Sequence, residues 1–457
     1  MMIATSRTRL HRSAWRLYAP ASALLLWACL WLNLNSGFWN IQAPHSFDDW
    51  QLFTRAVLPF AVLPVACFLV LSRRKLDMPG LSPSQLLMIY GLVAAIASVV
   101  SPDPAASLYW SVTFLATILV AWTFPTTHTP VLSARQMLQI TWAVMAAVAA
   151  IIAYTGRGLI YGSAPSAYSI EHELHDLVIS SGVARWAAVP GLVCILKAYH
   201  TRRPAHIAFF LAVAGAAFFI VYRMQSRGAI FGSAAALLFA LFTSSRLRRY
   251  ALPYTVFAVL LLIILETPNV LSNRVTEYLE RGQTEAEFIN MSGRTSTYNK
   301  GIAAFRDAPV LGRGQWADRL IGIGHAHNSY LQALMNAGIL GGIPYVASWI
   351  AGWVLFFRLQ SKRHVLRPED RLVLLEAGAV MMFFTVRSVP ETTTASFAVD
   401  LLVMAAVYVY FETLAASTAP RPLPRSARTP LQESAPKIRH SLQVASRPRP
   451  VAGVSPE

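Results

Sequence analysis

YLQALMNAGILGGIPYVASWIAGWVLFF, residues 330–357, is the apolar run that decides the fold of this chain. A helix that crosses the roughly 30 Å hydrocarbon layer of a bilayer needs about 20 mostly apolar residues, which this run supplies. Of all 457 residues, 55% are hydrophobic and 13% are charged, with a mean hydropathy of +0.46. Soluble domains carry about 25% charged residues. The sequence therefore predicts an all-α polytopic membrane protein.

Similar runs recur along the chain and predict about twelve transmembrane helices. Lysine and arginine accumulate in the cytoplasmic loops of membrane proteins. Most of the 39 basic residues fall in every second connecting segment, that is, on one side of the membrane, and this places both termini inside. The net charge of +17 is thus explained by topology and does not indicate a nucleic-acid partner. The runs lie near residues 18–34, 53–72, 84–101, 106–124, 135–154, 182–200, 205–222, 228–244, 251–267, 330–357, 372–389 and 397–413.

This topology divides the chain into five parts. We predict a basic cytoplasmic N-terminus at 1–17, helices one to nine at 18–267, a long outer loop at 268–329, helices ten to twelve at 330–413 and a disordered basic cytoplasmic tail at 414–457. The tail is rich in Pro, Ser and Arg and has too few large apolar side chains to fold alone. Long loops in compact proteins usually carry function.

Thirteen basic residues do not follow the positive-inside pattern. Several lie at predicted outer helix ends, where a cation needs an anionic or polar partner. As a set they predict an anion bound outside, although each one could instead pair with an outer acid or a lipid headgroup. They are Arg55, Arg157, Arg185, Arg223, Arg227, Arg274, Arg281, Arg294, Lys300, Arg306, Arg313, Arg319 and Arg387.

The long loop contains a predicted amphipathic helix and leads to a pair of histidines. Large side chains recur there at spacings of four and three residues, at Tyr298, Ile302 and Phe305, which places them on one face of a helix. Pro309 is expected to end this helix. The chain then re-enters the membrane at residues 324–331, GHAHNSYL, and the glycines and proline at 338–344 indicate a bend. An imidazole at this position could accept a proton near neutral pH, or simply hydrogen-bond at the start of a helix.

Three other polar features have competing interpretations. His172, His175 and Asp176 share one helical turn and could hold zinc, but a solvated helix start explains them as well. Glu391 follows Arg387 by four residues, which predicts a local ion pair first and acceptor binding or loop support second. Asp400 within the last apolar run must face protein or a wet cavity, and the sequence does not identify its partner.

Five motifs in fixed order resemble the superfamily of O-antigen ligases and Wzy-type polymerases, which are envelope glycosyltransferases of bacteria. The resemblance covers roughly residues 210–350. The motifs are QSRG at 225–228, SGR at 292–294, APVLGRG at 308–314, HNSYL at 327–331 and GILG at 338–341.

The resemblance implies a GT-C-like inner-membrane enzyme that acts without a metal or other cofactor at the periplasmic face. It would transfer a glycan, with inversion, from undecaprenyl pyrophosphate to a lipid A-core hydroxyl. His327 would be the catalytic base, and arginines would bind the pyrophosphate, since guanidinium groups bind phosphate oxygens bidentately. Arg227 and Arg294 are the main candidates, and Arg185, Arg223 and Arg313 are further ones. Acceptor binding or loop support falls to Asn328, Tyr330 and Glu391, whereas His325 is expected to point elsewhere.

Three alternatives stay open from the sequence, one of which is a passive scaffold for envelope assembly. A Wzy-type polymerase, which joins carrier-linked repeats, would need the same base and the same pyrophosphate site. A twelve-helix secondary transporter is the rival of another class, but it usually shows related halves with a long inner connection, and this chain shows neither.

Overall fold

The computed structural model describes residues 18–34, 50–72, 81–155, 180–245, 247–249 and 294–418. Several sequence predictions fall outside these residues. They concern the N-terminal segment 1–17, the zinc-like group at His172, His175 and Asp176, the ninth apolar run at 251–267, the first part of the long loop, and the tail from residue 419.

Within the described residues, the secondary structure is helical. The helices are α1 (Ala21–Asn33), α2 (Trp50–Ser72), α3 (Pro83–Ala97), α4 (Pro104–Thr123), α5 (Pro130–Thr155), α6 (Ser180–His200), α7 (Pro204–Arg223), α8 (Arg227–Thr243), α9 (Arg294–Asp307), α10 (Ala317–Leu320), α11 (Ser329–Ser361), α12 (Pro368–Arg387) and α13 (Val399–Thr418). Short 3₁₀ turns follow α3, α4 and α11.

Seven of the described helices are long and apolar enough to cross a membrane. They are α3, α4, α5, α6, α7, α11 and α13, while α1, α8 and the apolar part of α2 are shorter. Helix α12 matches the predicted run at 372–389 but carries charged residues at both ends and at Glu376. The chain is thus a multi-pass helical membrane protein, and every predicted run in the described ranges coincides with a helix.

Local sequence explains where several helices begin. Proline occupies the first position of α3, α4, α7 and α12, where its missing N–H costs nothing. Ser82 accepts a hydrogen bond from the Gln85 backbone N–H, and the Gln85 side chain accepts one from Ser82 N in return at 3.0 Å, which forms a capping box before α3. Helix α13 ends at Thr418, whereas the sequence prediction starts the tail at residue 414.

Helix α11 is broken at Gly338, as the glycines in its sequence predict. Gly338 has φ +56 and ψ −157, a conformation that glycine adopts most easily. The break frees backbone groups, and the loop after α9 binds them. Ile339 N–H donates to Pro309 O and Leu340 N–H to Val310 O, while Met335 O and Asn336 O accept from Arg313 N–H and Gly314 N–H. This exchange fixes the loop against the first two turns of α11.

Helix α9 is the predicted amphipathic helix, and it ends two residues before Pro309 as expected. Its Gly301 is buried, and a Cβ there would approach the Leu331 side chain at 2.8 Å, so α9 packs closely on the start of α11. Tyr298 and Phe305 are half-buried, whereas Ile302 is exposed. The predicted apolar face is therefore turned only partly toward the protein.

Candidate functional site

The candidate site is built around His327 and Asn328, the two residues that precede α11. The Asn328 side chain accepts from the backbone N–H groups of Tyr330 and Leu331, at 3.0 and 2.9 Å, and so caps the helix. His327, just before the cap, has φ +49, a left-handed conformation that is uncommon for residues other than glycine. Tyr298 from α9 donates its hydroxyl hydrogen to His327 O at 3.1 Å. The cap and this contact hold His327 in place.

The loop between α12 and α13 is fastened to the same helix start. Asn328 Nδ2 donates to Val389 O at 2.9 Å, and Ser329 Oγ donates to Glu391 O at 3.0 Å. Ser329 N–H also donates to Ser388 O. Residues 388–391 therefore take their position from the HNSYL motif, although about 60 residues separate the two segments.

Glu391 lies where three of the sequence motifs meet. Its Oε1 accepts from Arg294 Nη2 at 3.0 Å, and its Oε2 is 3.6 Å from His327 Nδ1. Arg294 also donates to Pro390 O at 2.6 Å. A Cβ on Gly228 would lie 3.7 Å from Glu391 Cγ, so the start of α8 borders the Glu391 side chain. Arg227 is close enough to Arg294 for the two positive charges to interact.

The predicted local ion pair between Arg387 and Glu391 is wrong. Glu391 N–H bonds to Arg387 O, which turns the Glu391 carboxylate toward Arg294 and His327 instead. The guanidinium of Arg387 is almost fully buried and donates from Nη2 to Ser181 O at 3.1 Å. Its Nε and Nη1 have no hydrogen-bond partner among the described residues. It acts on Glu391 through its charge.

The partner of Asp400 is Arg185, a contact the sequence does not reveal. Arg185 Nη1 lies 3.0 Å from Asp400 Oδ2, and Asp400 is fully buried. The side chain of Arg185 stays 22% exposed, and its charge acts on Arg387 and on His325. The charges of Arg185 and Arg294 act on Arg387, and that of Arg294 acts on Arg227, so these four arginines form one interacting group, the arginine group.

The pKa of Glu391 lies below its usual range. Burial alone would raise that pKa, but the His327 imidazole and the charges of Arg387 and Arg294 lower it further. Glu391 is therefore an anion at any physiological pH. Four arginines face two carboxylates here, so the group keeps an excess of positive charge, which an incoming anion would balance.

The prediction that His325 points away from His327 is wrong. The two imidazole rings lie against each other, tilted by 35°. Residues 324–328 are not helical, and the two imidazole centroids are 4.4 Å apart. His327 N–H donates to His325 Nδ1 at 3.0 Å, which requires that nitrogen to be unprotonated. Burial, together with the charges of Arg319 and His327, lowers the pKa of His325 to about 3. His325 is thus a neutral support for the His327 backbone.

This lowered pKa predicts a pH-dependent stability. The unfolded chain protonates His325 near pH 6.5 and the folded protein only near pH 3, so the unfolded form binds more protons in between and stability falls as the pH drops through this window. We expect the thermal midpoint of the purified protein to fall less between pH 7 and 4 in His325→Asn, whose amide oxygen replaces Nδ1. His206→Asn, exposed on α7, should keep the original slope. Equal slopes in the protein and in His325→Asn would contradict this assignment.

The three remaining predicted site residues are Arg223, Arg313 and Tyr330. Arg223 is the last residue of α7. Gln225, two residues later, has φ +45 and lies in the turn that leads into α8. Arg313 lies 3.7 Å from Asp307 across an exposed pair, at the far end of α9. Tyr330 is half-buried and packs against Tyr345 of α11. The part of these three residues in binding stays a prediction.

Asp318 is a positioning residue that sequence reasoning missed. It is fully buried, and its Oδ2 accepts from Ala326 N–H at 3.0 Å while Oδ1 accepts from Gln332 Nε2 at 2.8 Å. Its carbonyl oxygen accepts from Ile323 N–H and Gly324 N–H. Asp318 thereby closes the loop that ends at His327. Its short side chain within a polar loop gives no sequence signal, because the bonds depend on how the loop folds back.

Comparison with known proteins agrees with the motifs. Residues 210–346 match the Wzy_C family model, described as O-antigen ligase, which is a family of glycosyltransferase-like enzymes. Searches of curated proteins and of solved structures gave no match. The matched segment includes Arg227, Arg294 and His327, whereas Arg185 and Glu391 lie outside it. The resemblance found in the motifs is thereby confirmed over residues 210–346, where the chain matches the O-antigen ligase family model.

Proposed function

We propose that this protein transfers a glycan from undecaprenyl pyrophosphate to a lipid A-core hydroxyl. The observation that carries the proposal is the meeting of three distant motifs near one carboxylate. Arg294 and His327 contact Glu391, and Arg227, at the start of α8, interacts with Arg294 through its charge. In this arrangement arginine cations can bind a phosphate, and a neighbouring imidazole can accept a proton from a hydroxyl.

The arginine group would bind the pyrophosphate of the donor. As the glycosidic bond breaks, negative charge grows on the leaving phosphate, and fixed cations stabilise that charge more than they stabilise the ground state. Arg227 and Arg294 would be the direct ligands. Arg185, held by Asp400, would add to the field, and Arg223 and Arg313 are further candidates. In this role the guanidinium groups supply the charge stabilisation, so the proposal requires no metal or other cofactor.

His327 would act on the acceptor hydroxyl. Glu391 faces Nδ1, which favours a proton on that nitrogen and leaves Nε2 as the basic one. Nε2 would accept the hydroxyl proton while the oxygen attacks the anomeric carbon from the side opposite the leaving phosphate. The new glycosidic bond forms as the bond to phosphate breaks, so the configuration inverts. Asn328 and Tyr330 would support this arrangement through the start of α11.

The number of membrane helices and their orientation are part of the same proposal. We infer about twelve transmembrane helices in a GT-C-like arrangement within the bacterial inner membrane, with the site facing the periplasm. The positive-inside pattern supports this orientation, because it places the starts of α8, α9 and α11 on the outer side. The partners are then the carrier-linked glycan, the lipid A-core acceptor and the surrounding lipids.

A reconstitution with two acceptors tests the proposal and separates it from its alternatives. Purified protein in nanodiscs would receive carrier-linked glycan with either lipid A-core or a second carrier-linked repeat, and mass spectrometry would identify the acceptor end of the product. We expect ligation to lipid A-core in the absence of any ion gradient. A product formed only on the carrier-linked repeat would indicate a polymerase. Gradient-driven uptake with no transfer would indicate a transporter.

A further inference from the structure

An aromatic and cationic stack lies next to the histidine pair and has no part in the chemistry described above. The rings of Trp110 on α4 and Trp316 before α10 are parallel within 10°, with centroids 4.0 Å apart. The Arg319 guanidinium carbon lies 4.3 Å from the centroid of Trp316. The Trp316 indole thus contacts both Trp110 and Arg319. We call these three residues the Trp–Arg stack.

The backbone around Trp316 is held in an unfavourable conformation. Trp316 has φ +65 and ψ +22, a left-handed geometry that is unusual for a bulky side chain. Its neighbours fix it on both sides: Gln315 is fully buried and bonds to Asn336, and Ala317 N–H donates to Asn336 Oδ1. Strain that the surroundings maintain in this way is concentrated at binding and active sites.

The stack holds the Arg319 side chain in one orientation while leaving it accessible. Its side chain is 32% exposed, and its guanidinium has a weak contact to Asp318 Oδ1 at 3.4 Å. That carboxylate is already engaged by Gln332 Nε2 and by the backbone N–H groups of Arg319 and Ala326. Arg319 therefore has donor capacity to offer to an incoming anion, and stacking on an indole reduces the entropy lost on binding.

The position of the stack relates it to the acceptor. Contacts run from Glu391 to His327, from His327 to His325, and the charge of Arg319 then acts on His325. The charge of Arg319 thus acts on the histidine pair itself. The acceptor hydroxyl would be engaged by His327 of this pair, so a cation beside the pair could meet the acceptor glycan.

We propose that the Trp–Arg stack is a binding site for an anionic group, a phosphate or a carboxylate, on the acceptor glycan. This inference rests on the proposed function. The stack would orient the acceptor so that its hydroxyl reaches His327, with Arg319 as the ligand and with Trp110 and Trp316 as positioning residues. No bond is made or broken at the stack.

The test compares acceptor kinetics in Arg319→Gln with those in Arg306→Gln, which removes an exposed arginine from α9. The proteins are full-length in nanodiscs, the donor is carrier-linked glycan, and the acceptor is lipid A-core, either intact or with its phosphates removed and its carboxylates reduced. For the intact acceptor, Arg319→Gln should raise the acceptor KM roughly tenfold, the effect of one lost charge-assisted hydrogen bond. The donor KM should not change, and Arg319→Lys should restore part of the loss.

Each outcome is decisive. With the neutralised acceptor, the unsubstituted protein, Arg319→Gln and Arg306→Gln should share one acceptor KM. A fall in kcat with both acceptors would mean that Arg319 only maintains the histidine loop, and an unchanged KM would exclude binding; either result overturns the proposal. An effect seen in phosphatidylglycerol but not in phosphatidylcholine nanodiscs would assign Arg319 to a lipid headgroup, which also overturns it. Absence of transfer by the unsubstituted protein would instead refute the proposed function.

Discussion

His327→Ala is expected to reduce glycan transfer by roughly 10² to 10⁴, the usual contribution of one positioned general base. His327 is one-third exposed and faces Glu391 through Nδ1, so its removal takes away the proton acceptor without touching a buried core. The loss should appear in kcat measured with purified protein and saturating donor and acceptor. The left-handed backbone at residue 327 tolerates alanine less well than histidine or asparagine, so the thermal midpoint should be recorded for each variant.

Two further variants make this result specific. His206→Ala, exposed on α7, should leave transfer unchanged. His327→Asn keeps a polar residue that accepts a left-handed conformation but has no basic nitrogen, so it should be as inactive as the alanine variant. Substantial activity in His327→Asn would contradict the role of His327 as base and would leave it a structural role at the start of α11.

Arg294→Ala should lower transfer by roughly 10²-fold or more, because this arginine would act in two ways. It would bind the donor pyrophosphate directly, and it fixes the loop through its bonds to Glu391 Oε1 and Pro390 O. Loss of the guanidinium removes a cation from the group and leaves the Glu391 carboxylate without its closest partner. Transfer assays over a range of donor concentrations would show a fall in kcat together with a rise in the donor KM.

Substitutions of neighbouring cations separate these two contributions. Arg294→Lys keeps the charge but cannot bind Pro390 O and Glu391 as a fork, so it should recover only part of the activity. Arg306→Ala on the same helix α9 should behave as the unsubstituted protein. If Arg294→Ala transferred glycan at the full rate, the arginine group would not be the pyrophosphate site.

The membrane helices were predictable from sequence because the signal is local. An apolar run of sufficient length is stable only within a bilayer, and each run between residues 18 and 245 and after 329 coincides with a helix. The break at Gly338 and the end of α9 before Pro309 were predictable for the same reason, since glycine and proline act on their own backbone.

The pairing within the site was not predictable in the same way. Asp400 and Arg185 are 215 residues apart, and Glu391 meets Arg294 across 97, so no spacing rule connects them. The nearness of Arg387 and Glu391 in the sequence even favoured the wrong pair, because α12 ends at Arg387 and the loop that follows turns the Glu391 carboxylate toward Arg294. The His325 prediction failed for the same reason: two residues apart means opposite directions in a helix, but not in the turn that contains them.

The exchange of backbone bonds at Gly338 has a consequence for biogenesis. A continuous helix would pair Met335 O with Ile339 N–H and Asn336 O with Leu340 N–H, but here all four groups are bound by residues 309–314 instead. Until that stretch arrives, the bent form would leave these groups without partners near the membrane surface, where each costs energy. The helix is thus expected to insert straight and to bend only when the preceding segment docks, so that catalytic competence is acquired as a late step of maturation.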